Sequence, residues 1–196
     1  MKSQVKSTSI KMLAMGAVLT ALVIILQLMG AFIRLGMFQI SLLLIPIVIG
    51  AALCGPFMGA WLGFVFGMVV LLNGDAAPFL AVNAIGTIIT VLVKGTLCGL
   101  IAGYAYKLFA KWNATVGTFA AAFVCPIVNT GVFLLGCVLF FMPTITEWAA
   151  GAGYGSDAVA YMFLGLAGGN FLFELLFNLV LSPVIVRLLK ISKKFA

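Results

Sequence analysis

Histidine is absent from this chain of 196 residues, and only four residues, Asp75, Glu147, Asp157 and Glu174, carry a carboxylate. Those shortages remove whole classes of chemistry. Without imidazole there is no histidine-assisted triad and no zinc-protease motif. Glu174 is the one carboxylate inside an apolar stretch, which leaves no paired-carboxylate site and no acidic metal cluster in the membrane. The cysteines, Cys54, Cys98, Cys125 and Cys137, stand singly in apolar runs with no C-x-x-C. They read as small buried packing residues, not as a metal cage. Glycine-rich nucleotide loops are missing too, so any energy from ATP must come from another chain. Neither catalysis, nor a metal, nor a cofactor is expected.

Charge is equally scarce. Charged residues make up 8% of the chain and hydrophobic ones 65%, against about a quarter and a half in a soluble domain. A water-soluble surface cannot be made from that inventory. A helix needs about 20 mainly apolar residues to cross the hydrocarbon core, and six stretches qualify as candidates: 12–33, 38–54, 57–73, 79–106, 115–142 and 159–189. The expected fold is therefore an all-α integral membrane protein, a single domain over 1–196 with six transmembrane helices. Lys2, Lys6 and Lys11 before the first run resemble a signal peptide, but the run is long and lacks a clear A-x-A site, so it is expected to stay as a helix. The second and third stretches are short and divided by the turn Gly55-Pro56. Two crossings fit better than one helix of about 54 Å.

The charges set an orientation. With the N-terminus inside, Lys2, Lys6, Lys11, Lys107, Lys111, Arg187, Lys190, Lys193 and Lys194 are all cytoplasmic, and Arg34 alone falls outside. That is a strong positive-inside bias with both termini in the cytoplasm. It accounts for the net charge of +7 without nucleic acid. The tail 190–194 could also bind anionic lipid or a partner, although an orientation anchor is the simpler role.

Small residues form stripes. Gly55, Gly59, Gly63 and Gly67 recur every fourth residue, as do Gly95, Gly99 and Gly103. Each set shares one helical face on which backbones can approach closely, and packing within the chain is favoured over an oligomer interface. Ala14, Ala17 and Ala21 mark a similar face on the first helix, suited either to internal packing or to docking of another membrane protein.

Polar residues are also striped. Asn83, Thr87, Thr90 and Lys94 share a face of the fourth stretch, and Asn170, Glu174 and Asn178 repeat every four residues on the sixth. Asn129 and Thr130 follow Pro126 on the fifth, where a missing N–H can distort the helix. A charge near mid-membrane costs roughly 2.5–3.5 kcal/mol on insertion scales and by default marks a binding site or pathway. Two readings stay open for Lys94 and Glu174: contacts to a solute in a polar pocket, or an ion pair that only neutralises itself. The segments 73–80 and 143–158, with Asp75, Trp148 and Tyr154, are candidate outer loops over such a pocket, though interfacial aromatics are common at that level. Inverted repeats typical of secondary carriers are not evident.

Six spans, Ala14-x-x-Ala17-x-x-x-Ala21, the run LLLIPIVIGAALCGPFMGAWLGFVFG (42–67), CPIVNTG (125–131) and NFLFELLFN (170–178) together resemble the substrate-binding S component of an energy-coupling factor (ECF) vitamin transporter. The resemblance covers almost the whole chain. It implies high-affinity capture of a vitamin or precursor without catalysis, in partnership with a membrane T subunit and two cytoplasmic ATPases. It also implies that the alanine face, Ala14, Ala17 and Ala21, docks the T subunit, and that solute contacts come from Asn83, Thr87, Lys94, Asn129, Asn170 and Glu174. Asp75, Trp148 and Tyr154 would form an outer gate. Lys94 suits a small acid such as pantothenate, the solute favoured among the candidates. Glu174 suits an amine-bearing solute such as a pyridoxine-like compound or a queuosine precursor, and a self-neutralised pair suits a neutral, riboflavin-like molecule. A stand-alone secondary carrier using Glu174 as an ion or proton relay is the alternative from a different class.

Overall fold

Apolar runs punctuated by glycine, proline and asparagine dictate the element order. The computed structural model describes residues 2–30, 34–35, 38–39 and 43–194, with side chains from Ile10 to Gly30 and from Leu43 to Leu189. Helix α1 (Lys2–Gly30) is followed by a two-residue antiparallel pairing of β1 (Arg34–Leu35) with β2 (Phe38–Gln39). Then come α2 (Leu44–Cys54), α3 (Pro56–Leu72), α4 (Ala77–Val82), α5 (Ala84–Phe109), α6 (Ala114–Phe140) and α7 (Met142–Gly151). The last rod starts as α8 (Ala158–Ala160), passes through a π-helical stretch, Tyr161–Gly168, and continues as α9 (Gly169–Lys194). Apart from the short β pairing, the described chain is helical.

Four segments, Ile10–Gly30, Ala84–Phe109, Ala114–Phe140 and Ala158–Leu189, are long and apolar enough to cross a bilayer. Their outward faces are apolar, with Leu13, Ile85 and Leu139 among the most exposed side chains. The other two expected spans are short helices, and the second differs in kind. Its helix starts at Leu44 rather than at 38, with residues 40–42 outside the described ones. Pro46 explains the start: proline is tolerated in a first turn, but an earlier start would place it in the interior, where its missing N–H breaks the ladder. Eleven residues span only about 16 Å. Leu44, Ile47, Val48 and Ala51 have no exposed surface, so α2 is a buried core helix, as expected of an apolar stretch this short. At Gly55 the backbone takes φ 97°, which glycine adopts without a Cβ penalty, and Pro56 opens α3 at the position where its fixed φ fits.

Two further expectations need correcting. The stretch 79–106 is not one helix: Asn83 is extended, with φ −148° and ψ 94°, and divides α4 from α5. Its side-chain oxygen accepts from the Gly86 N–H at 2.9 Å, so an asparagine cap ends one helix and begins the next. The outer loop expected at 143–158 is largely α7, with Pro143 in its first turn, and only the glycine-rich end forms turns. The side chains of Arg34 and of the basic tail 190–194 lie outside the described residues.

The glycine stripes lock α3 to α5. A Cβ added at Gly63 would run into the Gly95 carbonyl, and one at Gly95 into the Gly63 carbonyl; Gly59 and Gly99 are reciprocal in the same way. Packing within the chain is therefore what the spacing of four encodes. Because backbone meets backbone, no side chain can move aside to admit an added one. Gly63→Leu is expected to destabilise the fold by at least about 1–3 kcal/mol and to broaden or abolish the monodisperse peak in detergent size-exclusion chromatography. An unchanged peak and melting temperature would show that the two helices do not pack this way.

Candidate functional site

A cavity of about 210 Å³ opens where α1, α3, α5, α6 and the last rod converge beneath α4. Ligand sites commonly enclose about 300–1,000 Å³, so this one suits a small solute. On α5, Thr87, Thr90 and Lys94 line it, spaced at i, i+3 and i+7 on one face. Thr87 and Lys94 are about 10 Å apart along the axis. Thr87 Oγ1 donates to the Asn83 carbonyl at 2.8 Å, whereas Thr90 Oγ1 is buried without a hydrogen-bond partner.

Helix α6 contributes Asn129, Thr130 and Phe133, and α9 contributes Asn170 and Glu174. Helix α6 runs unbroken through Pro126. The Asn129 amide donates to Glu174 Oε2 at 3.4 Å, near the outer limit for such a bond, and its Oδ1 is buried and unpartnered. Asn178, one turn beyond Glu174, is fully buried and donates to the Glu174 carbonyl at 2.8 Å instead of facing the cavity. The π-helical stretch ends just before Asn170 and puts Leu166 and Ala167 on the wall. Irregular turns of this kind often adjoin functional sites.

Lys94 and Glu174 share this wall without forming a salt bridge. The Lys94 ammonium faces two aromatic rings instead, 5.6 Å from the centroid of Phe66 and 5.2 Å from that of Phe133. Such contacts are worth about 0.5–2 kcal/mol depending on desolvation. They hold the ammonium in place and leave its N–H groups able to donate. At the other end, Asp75 Oδ2 accepts from the Gln27 amide at 2.7 Å and from the Asn73 amide at 2.8 Å. Phe79 forms the aromatic lip, edge-to-face with Phe133, Phe141 and Trp148 at 5.7, 5.1 and 5.3 Å.

Of the residues singled out in the sequence, Thr87, Lys94, Asn129, Asn170, Glu174 and Asp75 line this one cavity. Asn83 does not line it, being taken up as the helix cap. Trp148 does not line the cavity but packs behind its wall, against Phe79 and the cluster around Phe141, and Tyr154 packs on Tyr161 at 5.4 Å, off the wall. Ala14, Ala17 and Ala21 are exposed on the outer face of α1. Sequence reasoning missed Gln27, Phe66 and Phe133. Gln27 had a signal, as the one polar side chain between Leu22 and Met29; the phenylalanines had none among 17 of their kind.

A family model described as ECF transporter, substrate-specific component, matches residues 11–186. The chain belongs to that family. It is also 26% identical over 189 residues to the pantothenic acid transporter PanT of Lactococcus lactis subsp. cremoris (strain MG1363), an alignment covering 87% of this chain and 89% of that relative. No solved structure matches the chain. The family is a transporter component and not an enzyme family.

Capping and binding can be separated experimentally. Asn83→Ala is expected to lower stability by about 1 kcal/mol, seen as a reduced melting temperature, while the affinity for solute stays unchanged. A large loss of affinity without a loss of stability would return Asn83 to the binding wall.

Proposed function

We propose that this S component captures pantothenate, or a small hydroxylated acid amide of the same kind, from outside the cell. It would deliver the solute inward together with a T subunit and two ATP-binding subunits. The observation that carries this reading is the Lys94 ammonium, held between two rings in a small cavity with unpartnered hydrogen-bonding groups nearby. Pantothenate offers one carboxylate, a central amide and two hydroxyls. Its carboxylate would take Lys94, and its amide would take Thr90 Oγ1 and Asn129 Oδ1. The name of the similar Lactococcus protein supports the same solute. Six crossings with both termini cytoplasmic remain part of the proposal, supported by the distribution of Lys and Arg.

Binding should not need an ion gradient. Isothermal titration in detergent is expected to give submicromolar affinity for pantothenate, and Lys94→Met should weaken it about 10- to 100-fold, the span of a lost charge-assisted hydrogen bond. Equal affinity in the variant would exclude Lys94 as the anion contact, and preferential binding of an amine-bearing vitamin would assign Glu174 as the anchor instead. Translocation by the chain alone in liposomes, abolished by Glu174→Gln, would favour the stand-alone carrier.

The exposed alanine face of α1 is the proposed docking surface for the T subunit. Ala17→Trp is expected to block uptake in cells that carry the energising subunits, while titration in detergent still shows full affinity. Loss of both together would remove the docking role.

A further inference from the structure

Gln27 is an unusual residue to bury where it is. It stands alone among the apolar residues from Leu22 to Met29 of α1, is 6% exposed, and lines the cavity. Its Nε2 donates to Asp75 Oδ2 at 2.7 Å. An ionised carboxylate only accepts, so this bond fixes which way round the amide sits. The nitrogen must face Asp75, and the oxygen must point elsewhere. Among the described residues no hydrogen bond ends on Gln27 Oε1. Because Gln27 lines the cavity, that oxygen is open to a donor carried by a solute.

The geometry points to Gln27 as a specificity-determining residue that accepts a hydroxyl or amide N–H from the end of the solute farthest from Lys94. This inference rests on the pantothenate reading above and deepens it. Phe66, which packs on Lys94, lies six residues before the end of α3 at Leu72, about 9 Å along the axis. Asp75 and Gln27 are beyond that end. The cavity is therefore read at two levels, an anion at the Lys94 level and a neutral hydrogen-bond donor at the Gln27 level. Asp75 acts through Gln27 as a positioning residue, because its carboxylate dictates the orientation of the amide.

The test compares two ligands that share a carboxylate and an amide: pantothenate, and N-(3,3-dimethylbutanoyl)-β-alanine, which lacks both hydroxyls. Wild-type protein is expected to prefer pantothenate by about 10- to 100-fold. In Gln27→Met, similar in length and unable to accept strongly, that preference should fall about tenfold while affinity for the dideoxy analogue changes little. Gln27→Asn, which keeps an amide but draws it back, should lower the preference likewise and serves if the methionine variant does not fold. Asp75→Asn lets the Gln27 amide turn over and should also erode the preference. An unchanged preference in the Gln27 variants would overturn the inference, as would an equal loss of both ligands, the mark of a structural role. Equal wild-type affinity for the two ligands would overturn this inference alone. Wild-type protein that binds neither would overturn the pantothenate assignment and this inference with it.

Discussion

The backbone contact between α3 and α5 is the constraint from which the cavity follows. Gly59 and Gly63 meet Gly99 and Gly95 so closely that neither helix can rotate about its axis without a clash of main chains. At about 100° per residue, the Gly95–Gly99–Gly103 face of α5 lies roughly 100–180° around from the face of Thr87, Thr90 and Lys94. Docking one face against α3 therefore turns the other toward α6 and α9. Aligning polar side chains would not orient a helix well in lipid, where interhelical hydrogen bonds average only about 0.6 kcal/mol. Steric exclusion between backbones is the stronger guide, and the polar stripe inherits its direction from it.

This arrangement explains how a cation survives at that depth without a carboxylate in contact. A direct Lys94–Glu174 pair would cancel both charges and occupy the donors and acceptors a ligand needs. Two aromatic faces stabilise the ammonium without using up its N–H groups. Thr90 and Asn129 likewise keep oxygens without partners in a buried wall. A protein under selection for stability alone would pair these groups or replace them. Leaving them open costs stability in the empty state and lowers the reorganisation needed when solute enters.

Much of this was legible in the residues, and the failures have physical causes. The stripes at intervals of three and four gave the helix faces correctly, because a polar or small residue in lipid has few places to go and its spacing survives in the sequence. Asn83 fitted the stripe by spacing yet sits at a helix break, since an asparagine suits a cap and a polar wall equally well and periodicity cannot tell them apart. The start of helix α2 was misplaced because a helix packed into the core and a longer membrane crossing are both strongly apolar; only Pro46 hinted at where it begins. Helix α7 hid in a segment whose glycines suggested a loop. Gln27 escaped because a single polar residue makes no pattern. Phe66 and Phe133 are invisible for the opposite reason, as their partner Lys94 is set by the rotation of α5 and not by anything local.

The position of Gln27 connects two surfaces that otherwise look unrelated. Helix α1 is the least buried of the four long spans and is fastened to the bundle by few polar ties, among them Trp61 Nε1 to Thr20 Oγ1 at 3.2 Å and Gln27 to Asp75 at 2.7 Å. Ala21 on its outer face precedes Gln27 by six residues, about 9 Å along the helix. A solute that bonds the Gln27 oxygen adds a tie between α1 and the cavity floor. Ligand binding and the setting of the alanine face then share one rigid element, and coupling between them requires only that occupied and empty cavities favour different positions of α1. A helix with a larger buried face could not serve this way, because its packing would fix its position whether or not solute were present.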